Sequence, residues 1–131
     1  MKLSHVGIPV TDIGKSKDFY QRALAPLGMK VTMTIEPGQT KSGGTAIGFG
    51  TEGEPGFFWI GDKERVGEGV HVAFDAETCD QVDAFHKAAL AAGGKDNGAP
   101  GLRPHYGPTY YAAFVLDPDG ANIEAVCLAP S

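Results

Sequence analysis

The sequence predicts an α+β fold built from two tandem βαβββ modules, whose strands form a curved mixed sheet around a cleft. Three observations carry that prediction. The phrase HVGIPV at residues 5–10 has a near echo, HVAFDA, at residues 71–76, a spacing of 71 − 5 = 66 in a chain of 131 residues. Sliding the chain by that spacing aligns His5, Val6, Phe19, Ala23, Leu24, Ala25 and Gly28 with His71, Val72, Phe85, Ala89, Leu90, Ala91 and Gly94. Seven identities in a window of 24 exceed the about one or two that chance supplies, and such a repeat marks a duplicated supersecondary unit. The second observation is that each copy opens with period-two alternation and passes into helical periodicity. The third is that strand-like pieces separated by turn chemistry follow each helix.

Taken in order, residues 2–10 place Val6, Ile8 and Val10 on one face of a strand and His5, Gly7 and Pro9 on the other. Thr11 or Asp12 caps a helix that runs to about Leu27, with Phe19, Tyr20, Ala23, Leu24 and Leu27 as its buried stripe. Gly28 ends it. Strands follow at 29–36, 45–50 and 56–60, broken by the turn segments EPGQTKSGG and TEGEP. The polar stretch GDKERVGEG (61–69) falls where the repeat requires a joint, dividing a single domain 1–131 into module one (1–62) and module two (69–131). Module two restarts at 70–76, with Val72, Phe74 and Ala76 on one strand face and His71, Ala73 and Asp75 on the other. Thr78 and Gln81 have capping-box spacing ahead of a helix that turns Val82, Phe85, Ala89 and Leu90 inward and closes at Gly93 and Gly94. GKDNGAPGLRPHYGP then reads as irregular, before strands at 109–117 and 121–128 joined by DPDG.

Composition narrows the function. A hydrophobic fraction of 42% with 21% charged residues is that of an ordinary globular domain. The net charge, 11 − 16 = −5, comes without a basic block, which excludes nucleic acid and anionic membrane surfaces as expected partners. No apolar run approaches a bilayer span, and MKLSHVGIPV is too short in its apolar part for a signal peptide. With Cys79 and Cys127 the only cysteines and no CxxC, reduced thiols and a cytoplasmic location are expected.

The alternation that buries the large apolar side chains leaves His5 and His71 on the opposite faces of their strands, and Glu124, between Ile123 and Ala125, does the same on the last strand. A pseudo-two-fold relation between modules would bring the two imidazoles and the carboxylate to one cleft, a donor set for a divalent metal ion such as Fe, Mn, Ni or Zn. The ordinary alternatives are a hydrogen-bonded structural histidine and a solvated glutamate.

The segments HVGIPVTDIGKSKDFYQRAL, LGMKV, GVHVAFDA and above all FVLDPDGANIEAV, with its DPDG-x3-E ending, resemble the vicinal oxygen chelate superfamily of glyoxalases, bleomycin resistance proteins and extradiol dioxygenases. The resemblance covers essentially the whole chain. It implies paired βαβββ modules around a metal cleft, homodimers in which two chains build that cleft, and metal ligands at His5, His71 and Glu124. It further implies an enzyme of lyase or isomerase type. Such an enzyme acts on a small oxygenated substrate that chelates the metal, and stabilises an enolate or oxyanion. The alternatives within the same resemblance are an Fe(II) ring-cleavage dioxygenase and a metal-free binding protein of the bleomycin resistance kind.

Two departures stand out. Glyoxalase I has a fourth ligand on the fourth strand, whereas the repeat offset, 124 − 66 = 58, lands on Phe58. The extradiol pattern wants a tyrosine where this chain has Phe114, although His105 occupies its histidine. Around the metal, LRPHYGPTYY (102–111) offers Arg103 as a bidentate clamp for a substrate anion and His105 as acid or base. Tyr106 and Tyr110 offer hydrogen bonds to a bound oxygen, and Phe58, on the cleft face, offers a substrate contact. The alternative is a surface loop with aromatic anchors.

Overall fold

A computed structural model describes residues 3–54 and 56–128; the outermost residues of both expected modules, and Pro55 of the TEGEP turn, lie outside them. The fold is α+β, with two tandem βαβββ modules. Module one contains β1 (Val6–Pro9), α1 (Ile13–Leu24), β2 (Lys30–Ile35), β3 (Ala46–Gly50) and β4 (Phe58–Gly61). Module two contains β5 (His71–Asp75), α2 (Cys79–Ala91), β6 (Lys95–Leu102), β7 (Tyr111–Leu116) and β8 (Asn122–Cys127). Each module makes its own four-stranded sheet, in the orders β1-β4-β3-β2 and β5-β8-β7-β6. In both, the opening strand runs parallel to the last and the other pairs are antiparallel.

Local chemistry sets the helix ends. Asp12, in extended conformation, accepts the Lys15 amide at the start of α1, and Thr78 accepts the Gln81 amide at the start of α2. The α-helix stops at Leu24, short of the expected Leu27, because Pro26 lacks the N–H that another turn would need; a 3₁₀ turn (Ala25–Leu27) finishes it, with Gly28 at φ 80°. In α2, Val82, Phe85 and Ala89 are buried as expected, but Leu90 is 37% exposed.

The main difference from expectation is β6. Residues 95–102 form a strand although they carry Gly98, Pro100 and Gly101. Its register against β7 shifts twice, between Asp96 and Gly98 and between Gly98 and Gly101. An edge strand tolerates such interruptions, since only one side of its backbone is paired. His86, on α2, fastens this edge: its Nε2–H donates to Asp96 Oδ1 at 3.0 Å, and that bond lowers the Asp96 carboxyl pKa.

One hydrophobic cluster runs through both modules. Its aromatic spine joins Phe19 to Tyr20, Tyr20 to Phe58 and Phe58 to Phe74, with ring centroids 4.9, 5.0 and 5.1 Å apart. A polar tie crosses the same boundary. The Tyr20 hydroxyl donates to Asp117 Oδ2 at 2.5 Å, while Asp117 Oδ1 accepts the amides of Asp119 and Ala121 at 2.8 Å. The DPDG turn is thereby braced from within and bound to α1. Burial and the Asp117 carboxylate push the Tyr20 phenol well above its ordinary pKa. The modules meet through their helix-bearing faces, which leaves the opposite sheet faces open.

Candidate metal centre

On the open face of module two, Ala73 of β5 lies beside Glu124 of β8, and Glu124 beside Phe114 of β7. Glu124 is only 2% exposed although its strand face is open, because its neighbours cover it. The Nε2–H of His71 donates to Oε1 at 2.8 Å, and the hydroxyl of Tyr110 donates to Oε2. Burial raises the Tyr110 phenol to about 12, helped by the hydrogen bond and the charge of Glu124, so this hydroxyl remains a donor at neutral pH. A buried carboxylate held by an imidazole and a phenol is costly to desolvate and is kept only where partners compensate it.

Arg103, His105 and Tyr106, also expected at the site, lie on the same module. The His105 and Tyr106 rings lie 4.1 Å apart between centroids and tilted by 44°, and Tyr106 lies 5.3 Å from Tyr110. Phe114 lies 6.2 Å from the His71 ring, and the Arg103 guanidinium sits over Phe114 at 5.4 Å.

The surroundings of three further residues bear on their expected roles. Arg103 is not an open clamp: Nη1 donates to the Gly101 carbonyl at 2.9 Å and Nη2 to the Ala99 carbonyl at 2.8 Å. Both prongs of the fork hold the β6 bend. Phe58 is buried in the aromatic spine, and it also borders the groove lined by His5 and His71. His5 does not join the pair within one chain: among the described residues, no three His, Cys, Asp or Glu side chains lie close enough to share an ion. His5 and His71 border the same groove of about 530 Å³ between the opening strands, and His5 Nδ1 meets the Ser4 hydroxyl at 3.0 Å.

The strand register also identifies a residue that the repeat offset missed. Gly7 pairs with Trp59 in module one as Ala73 pairs with Glu124 in module two. The counterpart of Glu124 is therefore Trp59. Module two is one residue shorter between these strands (124 − 73 = 51 against 59 − 7 = 52), so the offset slips from 66 to 65. Alternation along FFWI, with Phe58 and Ile60 inward, was the available signal.

A family model described as the Glyoxalase/Bleomycin resistance protein/Dioxygenase superfamily matches residues 2–125. The chain belongs to this superfamily. Among superfamily relatives, a lactoylglutathione lyase of Escherichia coli is 32% identical, over 96% of this chain and 92% of the relative. A solved glyoxalase/bleomycin resistance protein from Albidiferax ferrireducens superposes with a TM-score of 0.70 at 30% identity, covering 97% and 98% of the two chains. A glyoxalase I variant from Zea mays superposes with a TM-score of 0.72 at 25% identity, over 96% of this chain and 46% of that one. No helix among the described residues is long and apolar enough to cross a membrane.

Proposed function

We propose that the protein is a metal-dependent enzyme of glyoxalase type, a lyase or isomerase acting on a small substrate that presents vicinal oxygens. The observation that carries this reading is the pairing of His71 with a fully buried Glu124, the donor set that a borderline divalent ion prefers. The fit is chemical: one imidazole nitrogen and one carboxylate oxygen, 2.8 Å apart, share a proton that an incoming cation would displace. His71 and Glu124 would hold the ion with His5 from a second copy of the chain. When bound, the ion supplies Lewis acidity toward a substrate oxygen. Both β1 and β5 end their sheets, so their outer backbone groups are free to meet a partner.

The residues of the chain then divide the work. Tyr110 fixes the Glu124 carboxylate and keeps its own proton. His105, beside the Tyr106–Tyr110 ring pair, takes and returns protons at the substrate. Arg103, by bracing β6 and covering Phe114, positions the wall against which His71 rests. The experiment is an assay of formation and breakdown of lactoylglutathione, the compound named for the E. coli relative, on chelator-stripped protein and on protein reloaded with Ni(II), Zn(II) or Mn(II). Turnover on reloading, absent in stripped protein and in His71→Ala, is the expected result. Equal turnover of the stripped and reloaded forms would overturn it.

A further inference from the structure

Module two holds both cysteines of the sequence, Cys79 and Cys127, and the fold brings them to one corner. Cys127 is buried on the helix side of β8, opposite Glu124, which lies three residues before it on the same strand. Its cross-strand neighbour is Tyr111 on β7, so both side chains rise from one face of the sheet. Over that face packs α2, on which Cys79 and Asp83 stand one turn apart along one side. The Tyr111 hydroxyl donates to Asp83 Oδ1 at 2.6 Å. That bond, followed by burial and the charges of Asp83, Cys79 and Asp80, raises the Tyr111 phenol to about 12. A helix pair thus faces a sheet pair: Tyr111 engages Asp83, and Cys127 is left to the turn that carries Cys79. A second set of contacts gives the same placement. Past β5 the chain stays beside β8, with the Ala76 amide donating to the Val126 carbonyl at 2.7 Å. The Cys127 thiol donates to the Glu77 carbonyl at 3.4 Å, and only the capping Thr78 separates Glu77 from Cys79. Cys79 is half-buried, whereas Cys127 is closed off from solvent.

We propose that Cys79 and Cys127 form a reversible redox modification site, oxidised to an intrachain disulfide by a low-molecular-weight disulfide. Reaction begins at Cys79, the thiol that solvent reaches. Its thiolate attacks one sulfur of the small disulfide, forming a mixed S–S bond as the reagent's own S–S bond breaks. The departing thiolate takes up the proton that Cys79 released. Cys127 then attacks the Cys79 sulfur: the Cys79–Cys127 bond forms, the mixed bond breaks, and a second small thiol leaves with the proton of Cys127. Two protein thiols have lost two electrons, and one small disulfide has become two thiols. The new bond pins the first turn of α2 to the end of β8 and closes a loop of 127 − 79 = 48 residues. In a reducing compartment the pair rests as thiols. The site lies on the opposite side of β8 from Glu124, and its test uses metal-free protein, so failure of the metal reading leaves this result interpretable.

The probe is 2-hydroxyethyl disulfide, applied to native, chelator-stripped protein and then removed. Intact mass and peptide mapping without reductant should show one Cys79–Cys127 bond, the loss of two hydrogens and no adduct. The oxidised protein should melt at least about 5 °C higher, as closing a loop of this length in the unfolded chain requires, and dithiothreitol should reverse the shift. Cys127→Ala should stop at a mixed disulfide on Cys79, with no such rise. Cys79→Ser should stay unmodified, since its remaining thiol is buried; melting temperatures of the reduced variants check that both fold. The proposal fails if the native wild-type protein stays unmodified, or carries adducts or bonds between chains in place of the internal disulfide. It fails equally if oxidation leaves the melting temperature unchanged or lower, or if the reagent modifies Cys79→Ser and spares Cys127→Ala.

Discussion

Tyr20 and Asp117 stand 97 residues apart in sequence, and their bond shows how one buried pair couples the two modules. The phenol satisfies one carboxylate oxygen, and the DPDG turn satisfies the other. Removing the hydroxyl leaves a buried acceptor without its donor, so Tyr20→Phe should cost about 1–3 kcal/mol at neutral pH, measured by urea unfolding. The pH dependence has a definite sign. Because the folded pKa of Tyr20 is raised well above the ordinary phenol value of 10.0, its contribution is complete below pH 10.0 and is lost as pH climbs toward the folded value. Wild-type protein should therefore lose stability above that point more steeply than Tyr20→Phe, and parallel alkaline profiles would contradict this. Nothing in the sequence announced the pair, since period-3.6 reasoning sees Tyr20 only as a member of an apolar stripe. Tyr110 was legible as a hydrogen-bond donor near the site, but its bond to Glu124 was not.

The repeat makes elements look equivalent whose physical reasons differ. Gly28 and Gly94 align, yet Gly28 sits at φ 80° with nothing near its missing Cβ, whereas a Cβ on Gly94 would meet Val115 at 2.6 Å and Phe19 at 2.7 Å. The first glycine provides a left-handed conformation; the second provides space where the modules touch. Asparagine separates the two causes, because it tolerates the left-handed region but carries a Cβ. Gly28→Asn should cost less than about 1 kcal/mol, and Gly94→Asn about 1–3 kcal/mol from overpacking, both read from denaturant midpoints. The same tension between local signal and tertiary context explains the strands. β1, β5, β7 and β8 were readable from alternation and β-branched content. β6 was not, because Gly98, Pro100 and Gly101 argue against a strand everywhere except at an edge held by His86 and Arg103.

At the scale of the whole molecule, the duplicated phrase made both the module architecture and the pair of imidazoles legible. What it could not show is that, among the described residues of one chain, His5 does not complete a three-residue group with His71 and Glu124. A centre shared between copies makes a prediction about mixtures. His5→Ala and His71→Ala should each lack tight metal binding alone. Refolded together they should regain part of it, because a hybrid dimer joins the intact His5 of one chain to the intact His71 and Glu124 of the other. Recovery on mixing, read by metal retention after gel filtration, is the expected result, and its absence would place the centre elsewhere.

The most direct test of the metal centre is the thermal shift of purified, chelator-stripped protein on adding Mn(II), Ni(II) or Zn(II). An ion that binds only the native state raises stability by RT ln(1 + [L]/Kd), about 2.7 kcal/mol at a hundred times Kd. Wild-type protein and His86→Ala, whose imidazole belongs to the Asp96 contact on α2, should both melt higher with metal. The shift should grow with pH, because binding displaces the proton between His71 and Glu124. His5→Ala and His71→Ala should not respond, and Glu124→Gln, which keeps the shape and loses the charge, should respond only weakly. A wild-type protein indifferent to every ion, or a His71→Ala variant that shifts as far as wild type, would contradict the metal centre built on His71 and Glu124.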